Sequence, residues 1–356
     1  MRRLNQHCTD SAGRSLKSRI KDCILMTGVL VMLVIGSAST PALSQGSSSG
    51  DGFSKGGRAA LQFLKIGIGA RQAALGEASV ASVRDANAIF WNPAGLSAVT
   101  SAEASFSYVS WIADLNYVAG AGAIRVGGVG VIGLALASLD YGDIEEALVV
   151  SSTGSNDTRT GNVVSGDDFL VVASVAREFT DRLTIGMSAK MVHESLFEYS
   201  ETIFVFDVGT NYDMRYNGLR LAMSAQNFGT DVRFLEENTT GDGFDIPLMF
   251  RIGLSGDLIN PSNAFMSMGG THRLTASVEA LSTNDFSERF HVGAEYWFGE
   301  VVALRGGYRF NYDEGNLSTG FGLQSRLSDV GVRFDYAYVD YEFLDSPHRF
   351  SLSVEL

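Results

Sequence analysis

The sequence predicts an all-β fold: a transmembrane, antiparallel, up-and-down β-barrel of about 14 strands with an N-terminal hatch segment inside its lumen. Three observations predict it. From residue 103 onward, apolar residues alternate with small or polar ones, which is the period of a strand. Most of these segments run 10 to 13 residues, and a tilted strand needs about 9–11 to cross a hydrocarbon layer. Charges fall on the face opposite the apolar one, where a dry interior would not tolerate them and a hydrated lumen would.

The elements follow in chain order. Residues 1–44 read as a signal peptide. Six basic residues (Arg2, Arg3, Arg14, Lys17, Arg19, Lys21) face two acidic ones, and an apolar run extends from Ile24 to Gly36, too short to span a bilayer. Ala42-Leu43-Ser44 then offers a cleavage site after Ser44, so Sec-type export to the outer membrane of a Gram-negative-type cell is expected. Both cysteines, Cys8 and Cys23, fall in the removed segment, which leaves no disulfide or thiolate site. Losing that net +4 takes the formal charge from −13 to −17, and so acidic a chain repels nucleic acid.

Residues 45–57 are a flexible Ser/Gly linker. Residues 58–100 form an Ala-rich hatch or plug with short helices, and 101–356 form the barrel. The "FWNPAGL" stretch, 90–96, closes the hatch. Pro93 stops the helix-like run 85–91, Gly95 permits close backbone approach, Asn92 bonds to the inner wall, and Trp91 fills the space beneath. Trp91, Asn92, Pro93, Ala94 and Gly95 are thus the expected hatch motif, a seal rather than a centre of chemistry.

The expected strands are 103–111, 115–126, 129–139, 168–180, 182–194, 201–213, 217–228, 246–257, 270–281, 287–299, 300–312, 316–326, 328–340 and 347–356. Tight connections at 127–128, 181, 214–216, 299–300 and 327 alternate with longer or more polar ones at 140–167, 195–200, 229–245, 282–286, 313–315 and 341–346. That asymmetry marks an outer-membrane barrel, although the 12-residue connection 258–269 breaks it. The glycine-rich "VGGVGVIGLAL", 126–136, is expected to kink or bulge beside the hatch. Asp207, Arg251, Glu279, Glu295, Arg305, Arg309, Arg333 and Asp335 are expected on the lumen face as a lattice of mixed charge. Phe350, Leu352, Val354 and Leu356 share one face of the last strand as its assembly signal. The long loops around 140–168 and 228–245 are acidic, which suits a solvated outer surface or the docking of a basic partner.

Enzymatic readings fail on spacing. In "GIGARQAALG", 67–76, Gln72 stands where a dinucleotide fingerprint needs its third glycine, and "STGSND", 152–157, has no phosphate-binding lysine. His193, His272 and His348 fall at strand ends or in connections and His291 near an end on the lumen face; the four are scattered, belong to no nucleophile motif and read as interfacial or surface residues. No cofactor or metal site is expected.

Three blocks carry a family resemblance. "FLKIGIGARQAALGEASVASVRDANAIFWNPAGLS" (63–97) resembles the N-terminal signature of PorV/PorQ-type outer-membrane proteins. "DIPLMFRIGLSGDL" (245–258), "GAEYWFGEVVALRGGYRFNYDEGNLSTGFGL" (293–323) and "FDYAYVDYEFLDSPHRFSLSVEL" (334–356) resemble its later part. The resemblance implies a FadL-like barrel of the long-chain fatty acid transporter class, with fourteen strands and an internal hatch, and Asn92-Pro93-Ala94 is similar to that class's hatch motif. Leu356 departs from the terminal aromatic usual in barrel assembly signals. The resemblance further implies a role in type IX protein secretion, receiving or handing over cargo that carries a C-terminal signal domain. The expected partners are then outer-membrane lipid, attachment-complex proteins and secreted cargo. The alternative is a transporter of hydrophobic small molecules.

Overall fold

The computed structural model describes residues 59–147, 159–196, 199–232, 243–261, 264–266 and 271–356. The signal peptide and linker readings lie outside the described residues. Among the described residues sixteen strands are present: β1 (Ala102–Ser110), β2 (Asn116–Val126), β3 (Gly130–Asp140), β4 (Ile144–Ala147), β5 (Arg159–Val164), β6 (Gly166–Glu178), β7 (Leu183–Leu196), β8 (Tyr199–Asp213), β9 (Arg220–Gly229), β10 (Met249–Ile259), β11 (His272–Thr283), β12 (Arg289–Phe298), β13 (Val302–Phe310), β14 (Leu317–Leu327), β15 (Val330–Val339) and β16 (His348–Glu355).

Fourteen of them close into one antiparallel barrel in which each strand pairs with its neighbours in sequence. Two joins differ: β3 pairs β6, passing over the separate hairpin β4–β5, and β1 pairs β16 to close the wall. At that seam Phe106 lies opposite Leu352 and Tyr108 opposite Phe350. Closure leaves no open strand edge in the wall, the condition that an apolar surrounding imposes on strands.

The alternation seen in the sequence is the alternation of the wall. Along β3, Leu134 and Leu136 are 62% and 53% exposed on the outside, while Ala135, Ala137 and Leu139 are buried inside. Phe204, Phe206, Phe290, Phe298, Leu304 and Leu352 continue this apolar outer surface around the barrel. Among the described residues no helix is long and apolar enough to cross a membrane. The last strand follows suit: Phe350 and Leu352 point outward, Ser351 and Ser353 are buried inside, and the Leu356 amide donates to the Ala102 carbonyl at 2.9 Å.

The inner surface has two characters. Across β2, β3 and β6 it is small and apolar, with Ala119, Ala121, Ala123, Ala135, Ala137 and Val172 all buried. Across β10 to β16 it carries charge: Arg251, Glu279, Glu295, Arg305, Arg309, Asp335 and Arg349. Residues 59–100 fill the enclosed space. They consist of short turns of helix at Gln62–Lys65, Ala70–Ala74, Ala88–Trp91 and Pro93–Ala98, joined by turns.

Four expectations are corrected. The glycine-rich 126–136 stretch carries no bulge, since β3 pairs in unbroken register with β2 and with β6. Its Gly133 instead makes room for Leu96 and Ile89, which a Cβ there would meet at 3.1 and 3.3 Å. In the wall, register shifts fall between Phe206 and Val208 on β8 and between Asp257 and Ile259 on β10. The strands beside the 195–200 connection run further than the expected 182–194 and 201–213, since β7 and β8 stay paired out to Leu196 and Tyr199. Ser200 is exposed where β7 and β8 extend, while Glu194 turns inward, is buried and accepts from the Leu61 amide at 3.1 Å. Lastly, 140–167 carries the hairpin β4–β5, and His291, on the lumen face as expected, is fully buried there rather than interfacial or at the surface.

Candidate functional site

The two ends of the barrel can be told apart by their connections. At the turn end lie residue 102, Glu355 and the short links such as 127–129, 299–301 and 328–329. At the loop end lie the link holding β4–β5 and the links 230–248, 284–288 and 340–347. The internal segment starts at the loop end, where the Ala60 amide donates to the Asp245 carbonyl at 3.0 Å and Lys65 pairs with Asp285. It finishes at the turn end, where β1 begins.

Asn92 fastens this segment. It is fully buried, and its amide nitrogen donates to the Val80 carbonyl (3.0 Å) within the segment and to the Thr210 carbonyl (3.1 Å) on β8. Its side-chain oxygen accepts from the Ala94 amide at 3.1 Å, capping the helical turn Pro93–Ala98, with proline at the first position where a missing N–H costs nothing. Trp91 is buried beside it. Its Nε1 donates to the Ile68 carbonyl at 2.8 Å and the Arg251 guanidinium stands 4.9 Å from its ring. Ala94 is fully buried, and a Cβ on Gly95 would overlap the Val83 carbonyl. The wall makes room in turn. A side chain on Gly209 would overlap Asn92, one on Gly186 would overlap Pro93 and Ala94, and one on Gly307 would overlap Gly76.

On the charged side, the segment and the wall interlock. Glu295 lies between Arg71 of the segment, which it meets through both Nε and Nη2 (2.9 and 3.0 Å), and Arg305 of β13 (2.6 Å). Asp335 pairs with Arg305 (2.8 Å) and Arg333 (2.9 Å), and Arg333 reaches Asp85 of the segment (2.6 Å). Glu279 takes Arg251 at 2.7 Å and the backbone amides of Ser79 and Val80 at 2.9 and 2.8 Å. Glu77 lies 3.2 Å from Arg309 and 3.8 Å from Arg349. Burial would raise the Glu77 carboxyl, but Arg309 and then Arg349 outweigh it and hold the group below the usual carboxylate range. His291 contacts the Tyr312 hydroxyl at 2.9 Å and lies 3.8 Å from Glu279. Burial and the nearby Glu77 push the Tyr312 phenol up to about 12, so it stays neutral.

Of the eight lumen charges read from the sequence, seven gather on β10–β15, while Asp207 lies apart on β8 with Lys190 at 2.7 Å. The sequence reading missed Arg71, Glu77 and Asp85, the segment's own contribution, together with Lys190 and Arg349. The last two were legible: each falls on the inward parity of its strand, Arg349 beside Ser351 and Ser353. The segment's charges carry no such signal because residues 66–87 have no long periodic element.

Above the segment, toward the loop end, is a cavity of about 380 Å³. Phe63, Leu139, Met249, Leu281 and Phe286 make much of it apolar, and Trp111 and Tyr341 stand in edge contact at its rim. Arg251, Arg289, Arg309 and Glu77 supply polar groups on one side. Its volume lies in the range of small-molecule sites, about 300–1,000 Å³. Among the described residues no group of three or more His, Cys, Asp or Glu side chains is placed to hold a metal.

No protein-family model matches the chain, and no curated protein matches it. Solved structures do. The toluene transporter TbuX of Ralstonia pickettii is similar over 81% of this chain and 97% of its own, with a TM-score of 0.55 at 13% identity. The toluene transporter TodX of Pseudomonas putida is similar over 81% and 97%, with a TM-score of 0.53 at 14% identity. Identity this low establishes a shared fold. The fourteen-stranded barrel that the PorV/PorQ resemblance implied is therefore the fold observed.

Proposed function

We propose that the protein is a non-enzymatic outer-membrane channel that admits small hydrophobic molecules from its loop end. The observation that carries this reading is the loop-end cavity, largely apolar and floored by the internal segment. Three further features support it. The outer wall is apolar around its circumference, as a wall facing lipid must be. The two similar structures are described as toluene transporters. The cavity also exceeds the roughly 150 Å³ that suffices to hold a benzene ring. The segment 59–100 bars a straight path, so passage requires it to shift.

The secretion role implied by the PorV/PorQ resemblance rests on the sequence blocks alone, and no contact in the structure favours it over transport. The test is ligand binding by the purified protein, read by titration calorimetry. Toluene or a medium-chain fatty acid should bind saturably, and Leu281→Trp, which fills the cavity, should weaken binding at least about tenfold. Binding untouched by that substitution, or no binding by any apolar ligand, rejects the reading.

A further inference from the structure

A second chamber, of about 290 Å³, opens at the turn end beneath the segment. Five arginines and three carboxylates line it. Two of the arginines are accounted for, since Arg71 pairs with Glu295 and Arg333 with Asp85 and Asp335. Arg84 of the segment, Arg220 at the start of β9 and Arg273 on β11 are different. Among the described residues none of the three has a carboxylate within salt-bridge distance. Asp257, the remaining acid in the chamber, is occupied by neutral donors, Thr275 at 2.8 Å and Asn260 at 2.9 Å.

Arg273 also lies 5.7 Å from the Trp297 ring, and its Nε is buried without a hydrogen-bond partner. Three guanidiniums converging on one chamber repel one another, and a buried N–H without an acceptor is costly. This excess of positive charge sits in a chain of formal charge −13, so general acidity cannot explain it. An oxyanion would satisfy all three, because guanidinium donors match carboxylate and phosphate oxygens in geometry as well as charge.

We infer that the turn-end chamber is an oxyanion-binding site in which Arg84, Arg220 and Arg273 hold a carboxylate or phosphate group. The site does not depend on the loop-end cavity. The anion's source is either a free ion on the turn side or the head group of an amphiphile that has passed the segment.

The test uses the purified full chain in detergent and titration calorimetry with sodium phosphate, sodium octanoate and uncharged octanol. Octanoate is titrated in the Leu281→Trp background, so that the loop-end cavity does not contribute. Phosphate binding weakened at least about tenfold in Arg220→Gln/Arg273→Gln, and partly restored in Arg220→Lys/Arg273→Lys, is the expected result for a free ion. The same pattern for octanoate, with no heat from octanol, identifies a carboxylated amphiphile and equally supports the site. Absence of binding by both anions overturns the inference, as does binding indifferent to the arginine substitutions. Folding of each variant is read from its heat-modifiable gel migration, and should the double variant fail, Arg273→Gln alone gives the comparison.

Discussion

Replacing Asn92 by alanine removes one side chain and three hydrogen bonds at once. The Val80 carbonyl loses its donor inside the segment, the Thr210 carbonyl loses its donor across to the wall, and the Ala94 amide loses its cap. Loss of a helix cap costs about 1 kcal/mol. A buried carbonyl left without a donor costs about 1–3 kcal/mol, toward the low end for Thr210, whose oxygen lies in a paired strand. The three together lower stability by about 3–5 kcal/mol if water does not enter. Only the Thr210 bond joins segment to wall, so displacement of the segment as a body becomes easier by about 1 kcal/mol, roughly fivefold in the displaced population. Planar-bilayer conductance should therefore rise about fivefold in open events, and the thermal midpoint of heat-modifiable migration should fall. Unchanged conductance together with an unchanged midpoint would refute the view that Asn92 seats the segment.

Other consequences follow from the same geometry. Glu295→Gln leaves Arg71 and Arg305 without their shared partner and should destabilise the protein by about 3–5 kcal/mol in denaturant titration, far more than a surface ion pair would. Gly133→Val puts carbon where Leu96 and Ile89 lie and should lower the melting point and raise leak conductance; a variant with neither effect would show that the β3 contact is slack. Glu77 is held below its ordinary range, so the stability it contributes is fully present above the unfolded value of about 4.3 and is lost as pH falls through the depressed one. Conductance should rise in strong acid, and Glu77→Gln should reduce that acid-induced rise.

The wall was legible because one physical rule, inside against outside with a period of two, acts on every strand. Phe290, Val292, Ala294 and Tyr296 could be told from His291, Gly293, Glu295 and Trp297 without coordinates, since each strand carries its own record of the two environments. The ends of the strands were less legible. Leu196 and Tyr199 pair beyond the apolar layer, where polar residues extend a strand as readily as they form a loop. The internal segment was legible only as a unit. "FWNPAGL" announced a turn with a polar anchor, but that Asn92 would reach Thr210 depends on contacts 118 residues apart in sequence. The pairing of Arg71 with Glu295 and the convergence of Arg84, Arg220 and Arg273 are similarly non-local, assembled only when the wall closes.

The position of the segment also dictates an order of events during assembly. Residue 60 is fastened near the loop end, residue 102 begins the wall at the turn end, and everything between runs through the interior. A chain already sealed at the β1–β16 seam could take up this arrangement only by drawing its preceding residues through a closed lumen. The simpler route is that the segment folds against the open, curved sheet and the seam joins last, with Tyr108 meeting Phe350 as the final latch. The interior would then be a template for the wall as well as its filling, and a defect at Asn92 or Glu295 would register first as slow closure of the barrel.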